Sequence, residues 1–245
     1  MNTGYEFSLM QLADSFFPYG NFALSGGLEA LVKAGRIKNS KDIGRFLQNQ
    51  LHFQLEPFDC IILSLSYDSS HNSELMEITN LDNLLFSSKI VEAVRTSSIR
   101  SGLQFLDCVI AMVTETKELK NNKLYQRKKA LKFANMFRTK VKSKAARGTF
   151  PVCLSISANL LGIPKQSAIR IFLYSYLAST VGAAVRMGII QHVTAQSIIA
   201  SLRNECESIS NSVMRKTIND VWQSIPLVEI LQMRHEKDDL RMFIT

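Results

Sequence analysis

From Ile43 onward, the apolar residues of this chain recur at the spacing of a helix, and nowhere do they alternate as a half-buried strand would. Ile43, Phe46, Leu47 and Leu51 form one stripe behind the helix-start pair Asn39-Ser40, and this helix is expected to end near Pro57. Gly35 suits the end of a preceding helix begun near Ser25. The polar stretch 68–74 reads as a loop, Asn121-Asn122 as a second break, and Gly162-Ile163-Pro164 as a third, with Pro164 opening the next helix. No internal repeat or flexible linker interrupts the 245 residues. The expectation is therefore an all-α fold: a single-domain helical bundle, residues 1–245, of roughly eight to ten helices.

Two helical stretches carry small residues on one face. Between Leu81 and Val113, Val91, Val94, Ser98, Gly102, Leu106 and Val109 align, with Arg95 beside them. Between Ile169 and Arg186, Ser175, Ser179, Gly182 and Arg186 line up on a helix otherwise apolar almost all round. Glycine in a helix interior costs about 1 kcal/mol relative to alanine, so something should offset it. A close crossing of these two helices would do so, with each arginine bonded to helix-end carbonyls or a carboxylate. On that expectation Gly182→Leu is strongly destabilising. The alternative is that each helix meets a different partner in the same core.

Composition narrows the class. Hydrophobic content of 46% with 20% charged residues belongs to a globular chain. The acids Glu6 and Asp14 interrupt any secretory leader, and the apolar run 171–185 reads as too short and serine-broken to cross a bilayer. Cys60, Cys108, Cys153 and Cys206 are isolated, as expected of free thiols in a reducing, cytoplasmic setting. Net charge is +8, and residues 117–147 hold twelve Lys or Arg against the single acid Glu118. Within them Ala130, Ala134, Phe137 and Val141 keep helical spacing, so one face is apolar and the rest basic. Such a face is a solvated surface, a dock for an acidic protein, or a nucleic-acid contact; no nucleic-acid motif accompanies it.

Catalytic motifs fail on inspection. Ala23-Leu24-Ser25-Gly26-Gly27 comes within one residue of a nucleophile elbow but lacks the preceding strand. Neither a phosphate-binding G-x-x-x-x-G-K-[ST] loop nor an H-E-x-x-H pair is present, and His52, His71, His192 and His235 are scattered. No catalytic residue, metal ligand or cofactor is expected. Ser25 instead suits a helix cap, Gly27 a close backbone approach, and Glu29 the positive end of the helix. Asp238 reads as one half of a surface ion pair with Arg234 or Arg241.

In order along the chain, Leu9, Gln11, Leu12, Asp14, Ser15, Phe17, Pro18, Gly20, Phe22, Ser25, Gly27, Leu28 and Glu29 resemble the opening signature of the urease accessory protein UreF family. The likeness continues through "VKAGRI", "FLQNQL" and Arg95-x-x-Ser98-x-x-x-Gly102. It resumes at "GTFPVCLSISANLLGIP", at the helix bearing Ser179, Gly182 and Arg186, and at the tail with His235, Glu236, Arg241 and Phe243. Leu24, Thr149 and Gln191-His192 depart from the family's usual residues. The resemblance implies an all-helical, usually dimeric, non-enzymatic assembly factor. Such a protein bridges UreD (also called UreH) and the GTPase UreG on apo-urease and assists nickel insertion, without nucleic acid, membrane or cofactor. Phe16, Phe17, Tyr19 and Phe22 then serve as interface anchors or equally as core; Pro18 and Gly20 fix the turn. Glu29 caps backbone N–H groups or reaches UreG, and residues 233–245 form a tail that docks on a partner. The other reading is a helical regulator that binds nucleic acid through residues 117–147.

Overall fold

The computed structural model describes residues 5–14, 16–20, 24–115, 124–238 and 242–243; the expected break at Asn121-Asn122 lies outside them. Among the described residues there is no strand, as the periodicity predicts. The α-helices are α1 (Glu6–Ala13), α2 (Leu28–Lys33), α3 (Ser40–Gln50), α4 (Ile61–Asn72), α5 (Leu75–Ser88), α6 (Glu92–Glu115), α7 (Leu124–Lys142), α8 (Phe150–Leu161), α9 (Lys165–Arg186), α10 (His192–Ser201), α11 (Arg203–Ser212) and α12 (Pro226–His235). A π-helical stretch, Leu51–Cys60, joins α3 to α4.

Two helices form the centre. α8 is apolar on every side, with Val152, Cys153, Leu154, Ile156, Ala158 and Leu160 all buried, and α4, α6, α7 and α9 pack around it. α9 is 22 residues long and apolar enough by composition to cross a bilayer, longer than the sequence suggests; here it lies mostly buried within the chain's own core. α10 and α11 cover its outer side.

Local signals hold where local chemistry decides. The Asn39 side chain accepts from the N–H groups of Lys41 and Asp42 and so caps α3. Gly162 closes α8 at φ +70°, and Pro164 leads into α9. One expected break is absent, and another is confined to Ser73-Glu74, between α4 and α5. Pro57 does not end its helix: the wider π register absorbs a residue without a backbone donor, and the rod runs on through α4. Residues 68–72 are likewise helical, because Ser69 and Ser70 turn inward and the Asn159 side chain donates to the Ser70 hydroxyl at 3.0 Å. One break was missed, at residues 89–91 between α5 and α6. There the Arg95 guanidinium donates to the carbonyls of Lys89 (2.6 Å) and Ile90 (2.9 Å), helix-end partners of the expected kind. Lys89 itself is buried and paired with buried Asp59 at 2.7 Å.

The two glycine-bearing helices do not meet at their glycines. Gly102 lies against the loop that starts α8: a methyl there would sit 2.3 Å from the Gly148 carbonyl oxygen and 2.9 Å from the Phe150 nitrogen. The Ser98 hydroxyl accepts from the Phe150 N–H at 3.1 Å. Gly182 has room, its methyl meeting only Arg186 Nη1 at 3.5 Å. The same loop is gathered by Asp82 of α5, fully buried, whose carboxylate accepts from the N–H groups of Arg147, Gly148 and Thr149 and from the Thr149 hydroxyl, all between 2.6 and 2.8 Å. Gly102→Ala is therefore expected to destabilise the fold by about 1–3 kcal/mol. Gly182→Ala should be neutral or gain up to about 1 kcal/mol from helix propensity. Urea denaturation of the two variants compares them directly, and equal losses would contradict the packing described.

Candidate functional site

The most elaborate polar cluster forms where α2, α12 and the C-terminal residues meet. Gly26 and Gly27 precede α2 with φ of +61° and +90°, in the region that favours glycine. A methyl on Gly27 would lie 2.8 Å from Val228 Cγ1 and 3.0 Å from Gln232 Cδ, so its absence lets α12 come against the turn. The buried Ser25 hydroxyl accepts from the Glu29 N–H at 3.4 Å, a loose cap on the first turn.

Glu29 then faces inward, 5% exposed. Oε1 accepts from the Met242 N–H at 2.9 Å and Oε2 from the Phe243 N–H at 3.0 Å. His235 Nε2 also lies 3.0 Å from Oε2, at an angle too bent for a straight hydrogen bond, so the contact is electrostatic. On the other ring nitrogen, His235 Nδ1 meets Asp238 Oδ2 at 2.6 Å. Lys33, at the edge, stands 3.6 Å from Glu29 and 3.5 Å from Asp238. Asp238 thus pairs with His235 and Lys33; of the partners the sequence suggested, Arg241 lies outside the described residues. The Phe243 ring is buried, with the Arg186 guanidinium 4.8 Å from its centroid. Glu236 reaches outward from this knot and accepts from the Ala93 N–H at 2.6 Å, holding the start of α6.

Burial alone would raise the Glu29 pKa, but the Met242 N–H, the His235 ring and the Phe243 N–H together bring it below the ordinary value. Asp238 is also lowered, first by His235. Chemically the array is a carboxylate–imidazole–carboxylate relay whose two acids occupy opposite ring nitrogens. They do not converge on a common point, and among the described residues no three His, Cys, Asp or Glu side chains group as a metal site. A cavity of ≈ 140 Å³ adjoins the knot, bordered by Gly26, Gln232, Tyr176, Glu229 and the Asp59–Lys89 pair.

Of the residues singled out in the sequence, Ser25, Gly27, Glu29, Arg186, His235 and Phe243 come together here. Phe17 and Tyr19 do not: they are buried 5.0 Å and 5.4 Å from the Phe105 ring, and Tyr19 stacks on Phe150 at 5.2 Å, so they anchor the opening segment to the core. Phe16, by contrast, is 94% exposed, and Pro18 and Gly20 lie on the surface beside it. Ser179 donates to the Leu24 carbonyl at 2.9 Å, fixing the approach to the knot. Arg95, Ser98 and Gly102 serve the α6 contacts already described. Ser15, Phe22 and Arg241 lie outside the described residues. Sequence reasoning missed Lys33 and Asp238 as members of the knot; their only signal is the Glu29/Lys33 spacing of four.

Two outcomes follow from this geometry. Glu29→Ala strips both tail N–H groups of their acceptor and is expected to cost about 1–3 kcal/mol in tail docking, read as faster hydrogen exchange at residues 242 and 243 with the core unchanged. Because the folded-state pKa of Glu29 lies below 4.5, its contribution is fully present above that pH. It is lost as pH falls through the folded-state value, so tail protection should collapse in acid in the wild type and be pH-independent there in Glu29→Ala.

Comparison with known proteins bears out the family resemblance. The UreF family profile matches residues 37–203. A protein of Trichodesmium erythraeum named urease accessory protein UreF is 29% identical over 242 residues, 97% of this chain and 96% of the relative. Proteins of the same name from Bacillus sp. (strain TB-90) and Paenarthrobacter aurescens are 27% and 25% identical, over 97% and 100% of this chain and 98% and 100% of theirs. With a profile match over more than half of its length and relatives that align over nearly all of it, the chain belongs to the UreF family of urease accessory proteins.

Proposed function

We propose that this protein is a urease maturation factor that works as a scaffold. It bridges UreD/UreH and the GTPase UreG on apo-urease, as a homodimer in the cytoplasm, and so assists delivery of nickel, the cargo, to the urease active site. It contributes no bond-making chemistry of its own. The observation that carries the reading is the meeting, in one knot, of Gly27 and Glu29 from the opening motif with His235 and Phe243 from the closing one. Its acid, Glu29, is already satisfied by the chain's own N–H groups. A carboxylate so engaged supports a structural role, which positions the surrounding surface for partners.

Two surfaces follow from that position. Phe16, exposed beside the buried Phe17–Tyr19 anchor, is a rigidly placed apolar contact of the kind that dominates protein interfaces. Among the described residues the tail is held by two backbone hydrogen bonds and the buried Phe243 ring, contacts that can be exchanged for contacts with UreD/UreH.

The test is size-exclusion chromatography of the chain with UreD/UreH and UreG, with and without GTP and nickel, beside a reconstituted urease activation assay. A co-eluting complex and chain-dependent urease activity are expected; elution apart from both partners would overturn the reading. A chain ended after Asp238 keeps every helix, so its helical circular dichroism should persist while co-elution with UreD/UreH is lost.

A further inference from the structure

Away from the knot, α1, the last turn of α4, the first turns of α7 and the end of α8 enclose an open groove of ≈ 710 Å³. Its floor is aliphatic, formed by Ala130, Leu160 and Leu161. Phe7, 79% exposed, stands at its rim. Arg127 and Lys129 enter from α7 and His71 from α4, and none of the described residues that line it is a carboxylate.

The sign of the groove is set by α7. From residue 124 to 147 the chain carries nine Lys or Arg and no acid. Phe133, Ala134 and Phe137 are buried against the core, so Lys128, Lys129, Lys132, Lys140 and Lys142 are left on the outer face. Gln126 and Arg127 of the first turn of α7 line the groove, so the positive end of that helix lies beside it. Two helix C-termini also reach the groove, but their carbonyls are closed within the chain. The Ser73 and Glu74 N–H groups bond back onto Ser70 and Ser69, and those of Gly162 and Ile163 onto Asn159 and Ala158. Their negative ends are therefore muted.

We infer that this groove docks an acidic segment of a partner protein, one whose carboxylates alternate with aliphatic side chains. The carboxylates would meet Arg127, Lys129 and His71, and the aliphatic groups would cover Leu160, Leu161 and Phe7. A nucleic-acid strand fits less well. It stacks base after base on several exposed rings, whereas of the three Phe and Tyr rings that line this groove among the described residues only Phe7 is exposed, Tyr5 and Tyr67 being half-buried. The inference goes beyond the scaffold role. A bare peptide probes it, so it stands or falls apart from co-elution with UreD/UreH.

The experiment is fluorescence anisotropy of the full chain with a labelled peptide of alternating Glu and Leu. A Gln/Leu peptide and a single-stranded RNA of equal length serve as competitors for the assignment. The acidic peptide is expected to bind, and to weaken as salt rises. Lys129→Glu should weaken it about tenfold, whereas Lys41→Glu, an equal charge change on exposed α3, should leave it unaltered. Thermal melts of both variants check the fold, and the double variant Arg127→Glu/Lys129→Glu deepens the loss. Equal binding of the Gln/Leu peptide, tighter binding of the RNA, no binding of the acidic peptide, or indifference to Lys129→Glu would each overturn the inference.

Discussion

A carboxylate taken out of water is costly unless its lone pairs find donors. Glu29 meets that condition with two backbone N–H groups from the far end of the sequence, at residues 242 and 243, and the imidazole of His235 stands beside it as an electrostatic partner. Because the donors belong to the tail, satisfying this acid and folding the tail are one event. Because α12 must lie against Gly27 to deliver His235, the same event fixes the last helix. The placing of α12 and of the described tail residues against α2 depends on that one side chain.

Asp82 repeats the device at the centre of the molecule. It too is buried, and it too gathers consecutive backbone N–H groups, here those that open α8. Gly102 then presses that opening loop from the other side with no side chain to hold it off. α8, apolar all round, can sit at the core because the Thr149 and Phe150 N–H groups at its polar start find acceptors within the protein, in Asp82 and Ser98. In both places a buried acid gathers backbone N–H groups that no helix satisfies, and in both the donors come from residues remote in sequence.

That remoteness explains what could be read from the sequence. The all-helical fold, the Asn39 cap and the Gly162-Pro164 junction rest on neighbours a few residues apart, and they were legible. Pro57 was misread because propriety of a proline in a helix depends on hydrogen-bond register, which no short motif declares. Residues 68–72 look like a loop because they are polar; their burial against Asn159 is a tertiary fact. Gly102 and Gly182 carry the same signal in sequence, yet only the first is crowded. For the site, the order of motifs pointed to both ends of the chain, but nothing in it said that Glu29 and Phe243 touch. Phe17 and Phe16 stand side by side in sequence, and only the fold separates the core residue from the surface one.

The wide turns around Pro57 have a geometric effect of their own. An unbroken α-helix presents one constant stripe along its length. Inserting turns of larger period rotates everything downstream about the rod's axis, so that α3 and α4 aim their apolar stripes in different directions. α3 accordingly addresses α10 at one flank, while α4 addresses α5 and α8 at the centre. A single continuous rod thereby serves as a strut between two layers that a straight helix of equal length could not have joined.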